Sequence, residues 1–240
     1  MIARCHFSRA ARMVNPSLRR VLVVGCLAAS LAASPNNQEP LSAQTESQEE
    51  EALRLAAQRG NGDAQTELGV MYRFGLGIPV DLEEAARWFR LAADQGHAKA
   101  QLNLGFMYEL GLGVLPDEAE AARLFHLAAD QGLAMAQLEL SDRYRLGKGV
   151  PHDAVEAARW VRVAAEQEDP EAQLRLGDLY RRGLGVQQDV VEAARWYYLA
   201  VDRGSSIAQF RLSVIEAELS LEDIAEAQRL ADEWKPTGQQ

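Results

Sequence analysis

The side chains that most often perform chemistry are few in this chain, and their spacing forms no catalytic or metal-binding group. The 240 residues include four histidines and two cysteines. His97, His126 and His152 each lack a second histidine or a cysteine at metal-ligand spacing, and His6 lies in the N-terminal segment. Both cysteines precede residue 27, so the rest of the chain has no thiol nucleophile. We expect the three later histidines to be ordinary surface or boundary residues.

Acidic pairs and glycine pairs recur along the chain, and both have a structural explanation. Asp153 and Glu156 could be an acid–base pair, but they lie where a helix is expected to begin, and negative charge there stabilises the helix dipole. The repeated Gly-x-Gly, as at Gly75 and Gly77, follows an expected helix and lacks the lysine of a phosphate-binding loop. We therefore predict a protein that is not an enzyme and has no cofactor and no metal; a hydrolase is the least favoured alternative.

The composition and the distribution of charge exclude further classes of protein. A hydrophobic fraction of 48% with 25% charged residues excludes a wholly disordered chain and a polytopic membrane protein. The net charge is −10, although the first 43 residues carry five arginines and only one acid. The rest of the chain is therefore strongly acidic, which argues against a nucleic-acid partner because phosphate binding needs a basic surface.

Residues 1–43 have the organisation of a secretory signal peptide followed by a polar linker. A basic stretch ends at Arg19-Arg20, residues 21–33 are apolar, and polar residues begin at Ser34. The apolar run is too short for a membrane-spanning helix. We expect the mature chain to begin between Ser34 and Gln44, and the protein to be exported, either periplasmic or secreted.

Three other interpretations of this segment stay open. Residues 23–26 resemble a lipoprotein box, which would make Cys26 an acylated anchor, although few apolar residues precede it. The arginines also permit an organelle transit peptide, and the segment could be an uncleaved membrane anchor. A lipidated or anchored chain would be a structural subunit of an envelope complex, in contact with the membrane only through its N-terminus.

An internal repeat is the strongest pattern in the sequence. Ala-Gln recurs at a constant step of 36 residues, at residues 64–65, 100–101, 136–137, 172–173 and 208–209. A leucine, a tyrosine and Gly-x-Gly recur from unit to unit at the same 36-residue step; in the first unit they are Leu68, Tyr72 and the pair that begins at Gly75. The second half of each unit contains Ala-Ala-Arg-Trp, with Leu124 in place of tryptophan in the second unit. Such a period indicates a stack of supersecondary units.

Each unit is predicted to contain two helices, A and B. In the first unit, helix A runs from about Ala64 to Phe74 and ends where Gly75 can adopt positive φ. Helix B begins at Asp81, and Glu84 completes a capping-box-like pair with it. Because one helix pair cannot bury its own aromatic residues, the units must stack into a solenoid. Residues 49–59 cap the front, and a last helix runs from Ser220 to Trp234, which makes about eleven helices.

This pattern resembles the Sel1-like repeat, a relative of the tetratricopeptide repeat, over about residues 49–234. Departures are modest: Leu124 replaces tryptophan, Glu168 replaces glycine, and serine replaces the helix A glycine twice. The resemblance implies an all-α, right-handed α/α superhelical solenoid of about five 36-residue repeats over residues 44–240. It also implies a scaffold or adaptor for protein partners, whose identity and oligomeric state the sequence does not give.

Helix A positions that vary between repeats are the candidate partner-binding residues, because the resemblance places these helices on the concave side. They are Glu67, Val70, Phe74, Asn103, Phe106, Leu110, Glu139, Asp142, Arg175, Asp178, Arg182 and Arg211. They change from apolar to charged along the chain, so we predict a docked peptide or helix. Its apolar side chains lie near Val70, Phe74, Phe106 and Leu110, and it has an acidic feature near Arg175, Arg182 and Arg211. In the alternative interpretation, Phe74 and Leu110 pack beneath the turn between helices A and B, and the charges form a solvated face.

Overall fold

A computed structural model of the protein describes the backbone of residues 41–235 and the side chains of residues 48–235. In this range all regular structure is helical, and residues 47–235 belong to one compact unit. The expected signal peptide, Cys26 and the C-terminal tail from Pro236 lie outside the described residues. The helices are α1 (Leu41–Gln58), α2 (Gly62–Phe74), α3 (Leu82–Asp94), α4 (Ala98–Leu110), α5 (Glu118–Asp130), α6 (Ala134–Leu146), α7 (Ala154–Ala165), α8 (Pro170–Arg182), α9 (Val190–Asp202), α10 (Ser206–Glu216) and α11 (Leu221–Asp232).

These helices follow the predicted alternation of A and B. Helices α2, α4, α6, α8 and α10 are the A helices, and α3, α5, α7 and α9 are the B helices. The front cap α1 begins at Leu41 rather than at the expected Glu49. The last helix α11 folds back on α9, where Trp234 meets Trp196 edge to face at 6.0 Å and Gln228 donates to the Tyr198 hydroxyl at 2.9 Å. The solenoid thus has a covering helix at each described end.

Local chemistry sets the helix boundaries. Gly75 ends α2 in the left-handed conformation with φ of 69°, which an L side chain adopts only at a cost. Asp81 caps α3 by accepting from the Glu84 amide at 3.0 Å. The predicted return bond from Glu84 is wrong, because its carboxylate instead accepts from Arg87 Nε at 2.8 Å. A full capping box forms at Ser220, where Asp223 bonds back.

A small residue, glycine in three of the repeats, lets helix A approach helix B of the same repeat. A Cβ atom on Gly69 would lie 2.7 Å from the Phe89 ring, and one on Gly105 would lie 2.7 Å from Phe125. Each glycine is therefore required by the buried aromatic ring opposite. In the third repeat, Ser141 occupies the notch and the opposing residue is the smaller Val161.

The recurring glutamine joins each of the first four A helices to the helix before it. Gln65 is 4% exposed and donates to the Ala57 carbonyl of α1 at 3.0 Å, while its own oxygen accepts from Gln95 at 2.7 Å. The same three-helix connection recurs at Gln101 and Gln137. Buried amides satisfied in this way fix the register of the stack.

Candidate functional site

Three exposed apolar side chains lie at the same position of consecutive A helices. Phe74, Leu110 and Leu146 are 39%, 60% and 48% exposed, respectively, near the C-terminal ends of α2, α4 and α6. We call these three residues the apolar row; Arg182 occupies the same position in α8. Phe74 and Leu110 therefore do not pack beneath the turn, which was the alternative interpretation. The Arg73 guanidinium lies 4.9 Å from the centre of the Phe74 ring and covers part of it.

Two candidate residues lie in the core instead of at the surface. Val70 is 6% exposed within the cluster formed by α2 to α5, and Asn103 is 3% exposed. Neither side chain is available to a partner in this structure. Phe106 is half-buried, and its ring meets Phe125 edge to face at 5.2 Å. Glu67 and Glu139 are also half-buried, and burial together with Asp63 raises the pKa of the Glu67 carboxyl.

An arginine joins each pair of successive A helices. Arg73 donates to the Asn103 side-chain oxygen at 2.9 Å, Arg143 pairs with Glu109, Arg175 pairs with Asp142 at 3.0 Å, and Arg211 lies 3.7 Å from Asp178. We call this set the arginine ladder. Several charges predicted to bind a partner therefore already bind the neighbouring repeat.

Between α6 and α8 the arginine of the ladder has a second acidic partner. Arg175 also binds Glu171 at 2.9 Å. Burial opposes ionisation of Asp142, but the charge and hydrogen bonds of Arg175 and Arg145 outweigh it and lower the pKa of this carboxyl. Further along, Asp178 accepts from the Tyr197 hydroxyl at 2.7 Å, and burial together with this bond raises the pKa of Tyr197.

Arg182 differs from the other charged candidates. It is exposed, and its guanidinium has no hydrogen bond or ion pair with the residues that the structure describes. Its charge is therefore accessible to an acidic group on another molecule.

Arg143 is a buried member of the arginine ladder that sequence reasoning missed. It is 4% exposed, and the Nε and Nη1 atoms have no partner among the described residues. The equivalent residues of other repeats are the apolar Met71, Met107 and Leu179. An arginine within an otherwise apolar repeat position is the sequence signal that could have revealed it.

His97 and His126 each lie beside an aspartate. His97 Nδ1 lies 3.5 Å from Asp63, and His126 Nδ1 lies 2.9 Å from Asp130. Within the described residues no three His, Cys, Asp or Glu side chains form a group that could hold a metal ion. None of the helices between residues 41 and 235 is both long and apolar enough to cross a membrane.

Two solved structures resemble the solenoid over most of its length. One is a protective antigen of uropathogenic Escherichia coli strains that displays an SLR fold; it has 36% identity and a TM-score of 0.68, and the match covers 75% of this chain and 40% of that one. The other is a Sel1 repeat protein from Oxalobacter formigenes, with 39% identity and a TM-score of 0.62 over 68% of this chain and 47% of that one. The chain spans less than half the length of either relative.

The repeats also match a known family in sequence. The Sel1 repeat family matches four consecutive segments, residues 62–97, 98–133, 134–169 and 170–205, which together make up more than half of the chain. No curated protein matches the chain. The segment boundaries coincide with the helix pairs from α2 to α9, so the sequence match and the fold agree. This chain belongs to the Sel1 repeat family.

Proposed function

We propose that this protein is a non-catalytic scaffold that binds a segment of a partner protein on the surface of its A helices. Proteins of the Sel1 repeat family generally mediate protein–protein interaction. The observation that carries the proposal is the apolar row, because exposed apolar side chains repeat at one position in three successive repeats. Exposed apolar side chains that recur at one repeat position are typical of an interaction site.

The partner segment is extended or helical and lies across the repeats. Its apolar side chains contact Phe74, Leu110 and Leu146, with Phe106 beside them. Toward α8 the segment carries an acidic residue that binds Arg182, whose charge has no partner in the described part of the chain. Arg175 and Arg211 lie near this end, but their bonds within the arginine ladder make them secondary contacts.

The protein acts after export in this proposal. Support comes from the basic, apolar and polar succession of residues 1–43. The second candidate is an anchored or lipidated structural subunit, which the cysteine at position 26 favours. Mass spectrometry of the mature N-terminus separates the two: a start between Ser34 and Gln44 supports export, and an acylated Cys26 or an intact Met1 supports the anchored subunit.

A pair of matched variants tests the binding surface. Leu110→Glu places a charge in the middle of the apolar row, and Leu221→Glu makes the same change at a leucine that is 87% exposed at the start of α11. We expect Leu110→Glu to weaken partner binding at least tenfold and Leu221→Glu to leave it unchanged. Arg182→Glu tests the acidic contact separately. Equal affinities for Leu110→Glu and Leu221→Glu would refute the proposed surface.

A further inference from the structure

Three exposed apolar side chains follow one another along α10, the last of the A helices. Ile207, Phe210 and Val214 are 58%, 65% and 41% exposed, respectively. Residues three, four and seven positions apart lie on the same side of a helix, so these side chains form one surface. We call these three residues the α10 stripe. It shares no residue with the apolar row.

In earlier repeats the following repeat covers this side of helix A. The residues equivalent to Phe210 in the second, third and fourth repeats are Leu102, Leu138 and Leu174, which are only 3%, 5% and 7% exposed. Leu174 belongs to a buried cluster that includes Leu212 of the next helix A. Because α10 is the last helix A of the described residues, no further repeat covers Phe210.

The last helix, α11, also leaves the α10 stripe uncovered. Ala227 of α11 belongs to a buried cluster with Leu212 and Ile215 of α10. Successive residues of a helix are rotated by about 100°, so Leu212 and Ile215 lie on the side of α10 opposite to Phe210. Helix α11 therefore closes the core of the solenoid without covering the stripe.

The two ends of the solenoid differ in polarity. A terminal repeat normally presents a polar outer face to water. The front cap has this property, since residues 49–51 of α1 are all glutamate. At the other end Ile207 occupies the position of Asp63, Lys99 and Glu171 in the first, second and fourth repeats. An apolar residue thus replaces charged ones at the end where charge would keep another molecule away.

The charged side chains of α10 are engaged within the chain and do not oppose a like surface. Arg211 lies 3.7 Å from Asp178, and Glu216 accepts a hydrogen bond from the Tyr198 hydroxyl. The exposed residues that flank the stripe are small and uncharged: Ser206, Ser213 and Ala217. Two copies of this surface can therefore approach closely, without the repulsion that like charges would cause.

We infer that this protein forms a homodimer in which the α10 stripes of two copies pack antiparallel about a two-fold axis. Ile207 and Val214 lie on either side of Phe210, three and four residues from it. An antiparallel pair therefore brings the two Phe210 rings together and places Ile207 of each copy near Val214 of the other, so the stripe is self-complementary. The inference goes beyond the proposed function, because it concerns a second surface and a second copy of the chain.

The exposed area of the stripe determines the strength of the dimer. Three side chains exposed by about a half present roughly 300 Å² of apolar surface on each copy. With the flanking residues, the total area buried by both copies is on the order of 1,000 Å², at the lower end of the range for specific interfaces. We therefore expect a reversible dimer with a dissociation constant on the order of 10 µM.

Analytical ultracentrifugation of the full chain tests the dimer. We expect the wild type to change from monomer to dimer between about 1 and 100 µM. Phe210→Glu places a charge in the middle of the stripe and should weaken dimerisation at least tenfold. Leu115→Glu is the matched control, because it makes a similar change at a leucine that is 87% exposed in the turn between α4 and α5; it should dimerise as the wild type does.

Two results would overturn the inference. One is a wild type that stays monomeric up to about 200 µM, which would assign the α10 stripe to another protein. The other is a Phe210→Glu variant with an unchanged dissociation constant. Leu110→Glu separates this inference from the proposed function: it should lose the partner and keep the dimer, whereas Phe210→Glu should lose the dimer and keep the partner.

Cysteine cross-linking tests the antiparallel arrangement. In a background with Cys5→Ser and Cys26→Ser, Ile207→Cys chains and Val214→Cys chains are mixed and treated with a short bismaleimide. Mass spectrometry of the cross-linked peptides should show mainly links between position 207 of one chain and position 214 of the other. Links mainly between two Ile207→Cys chains would contradict the two-fold packing of the stripes.

Discussion

The buried ion pair between Arg143 and Glu109 allows a quantitative test of how the A helices are held together. The side chains of Arg143 and Glu109 are 5% and 20% exposed, respectively, so the guanidinium is desolvated and depends on this carboxylate for its charge partner. Its Nε and Nη1 atoms have no partner among the described residues. The pair therefore carries a large desolvation cost that attraction offsets only in part.

Removal of the two partners should have unequal effects on stability. Glu109→Ala leaves a buried cation unpaired and should lower the free energy of unfolding by about 3 kcal/mol. Arg143→Met introduces the residue found at the equivalent positions of the first two repeats, and should change stability by less than about 1 kcal/mol or raise it. In the Arg143→Met background, Glu109→Ala should cost less than about 0.5 kcal/mol because no buried charge is left behind.

These variants form a double-mutant cycle. It is measured by urea denaturation, followed by circular dichroism, of the wild type, both single variants and the double variant. The expected coupling energy is at least about 2 kcal/mol. A loss of more than about 2 kcal/mol in Arg143→Met, or a Glu109→Ala variant as stable as the wild type, would refute the reasoning.

Three further predictions concern single positions in the stack. Gln137→Leu removes two side-chain hydrogen bonds, whereas Gln173→Leu removes one, because the Gln173 side-chain oxygen has no partner among the described residues. In thermal denaturation, Gln137→Leu should therefore be less stable than Gln173→Leu by about 1 kcal/mol. Glu168 adopts φ of 65° where other repeats have glycine. Glu168→Gly should therefore raise the free energy of unfolding by about 1 kcal/mol, although it removes the ion pair with Arg203. A variant less stable than the wild type would contradict backbone strain at Glu168. The pKa of Asp142 is lowered in the folded state, so its stabilising contribution is present above the unfolded value and is lost as pH falls through the folded value. Asp142→Asn should therefore be less stable than the wild type at pH 7, and the difference should shrink under acid conditions in urea melts at both pH values.

The fold was predictable because one pattern recurs at a fixed step. The capping aspartates, the glycines after each helix A and the apolar stripes each determine structure over only a few residues. Their repetition at 36 residues then determines the stack, since every unit must bury the same face against its neighbour. The predicted return bond of Glu84 was wrong because an arginine three residues later competes for the same carboxylate.

The surface was less predictable because it depends on contacts between repeats. Asn103 and Asp142 vary between units, which indicates freedom from the common core, but both contact arginines of a neighbouring helix A. Such pairs join residues about 30 positions apart, and sequence periodicity within one helix does not reveal them. Leu124 was visible as a departure from the repeat, and its side chain is as buried as the tryptophans at the equivalent positions.

The most direct test of the scaffold proposal is site-specific photo-crosslinking of the full chain in its native cells. A photoreactive residue is placed at position 110 in the apolar row, at Arg182, or at the exposed control position 221, and the crosslinked peptides are identified by mass spectrometry. We predict that positions 110 and 182 capture one partner, through an apolar segment and an acidic segment of it respectively, and that position 221 does not capture it. Crosslinks at position 221 identical to those at 110, or no discrete partner at 110, would contradict binding on the A-helix surface.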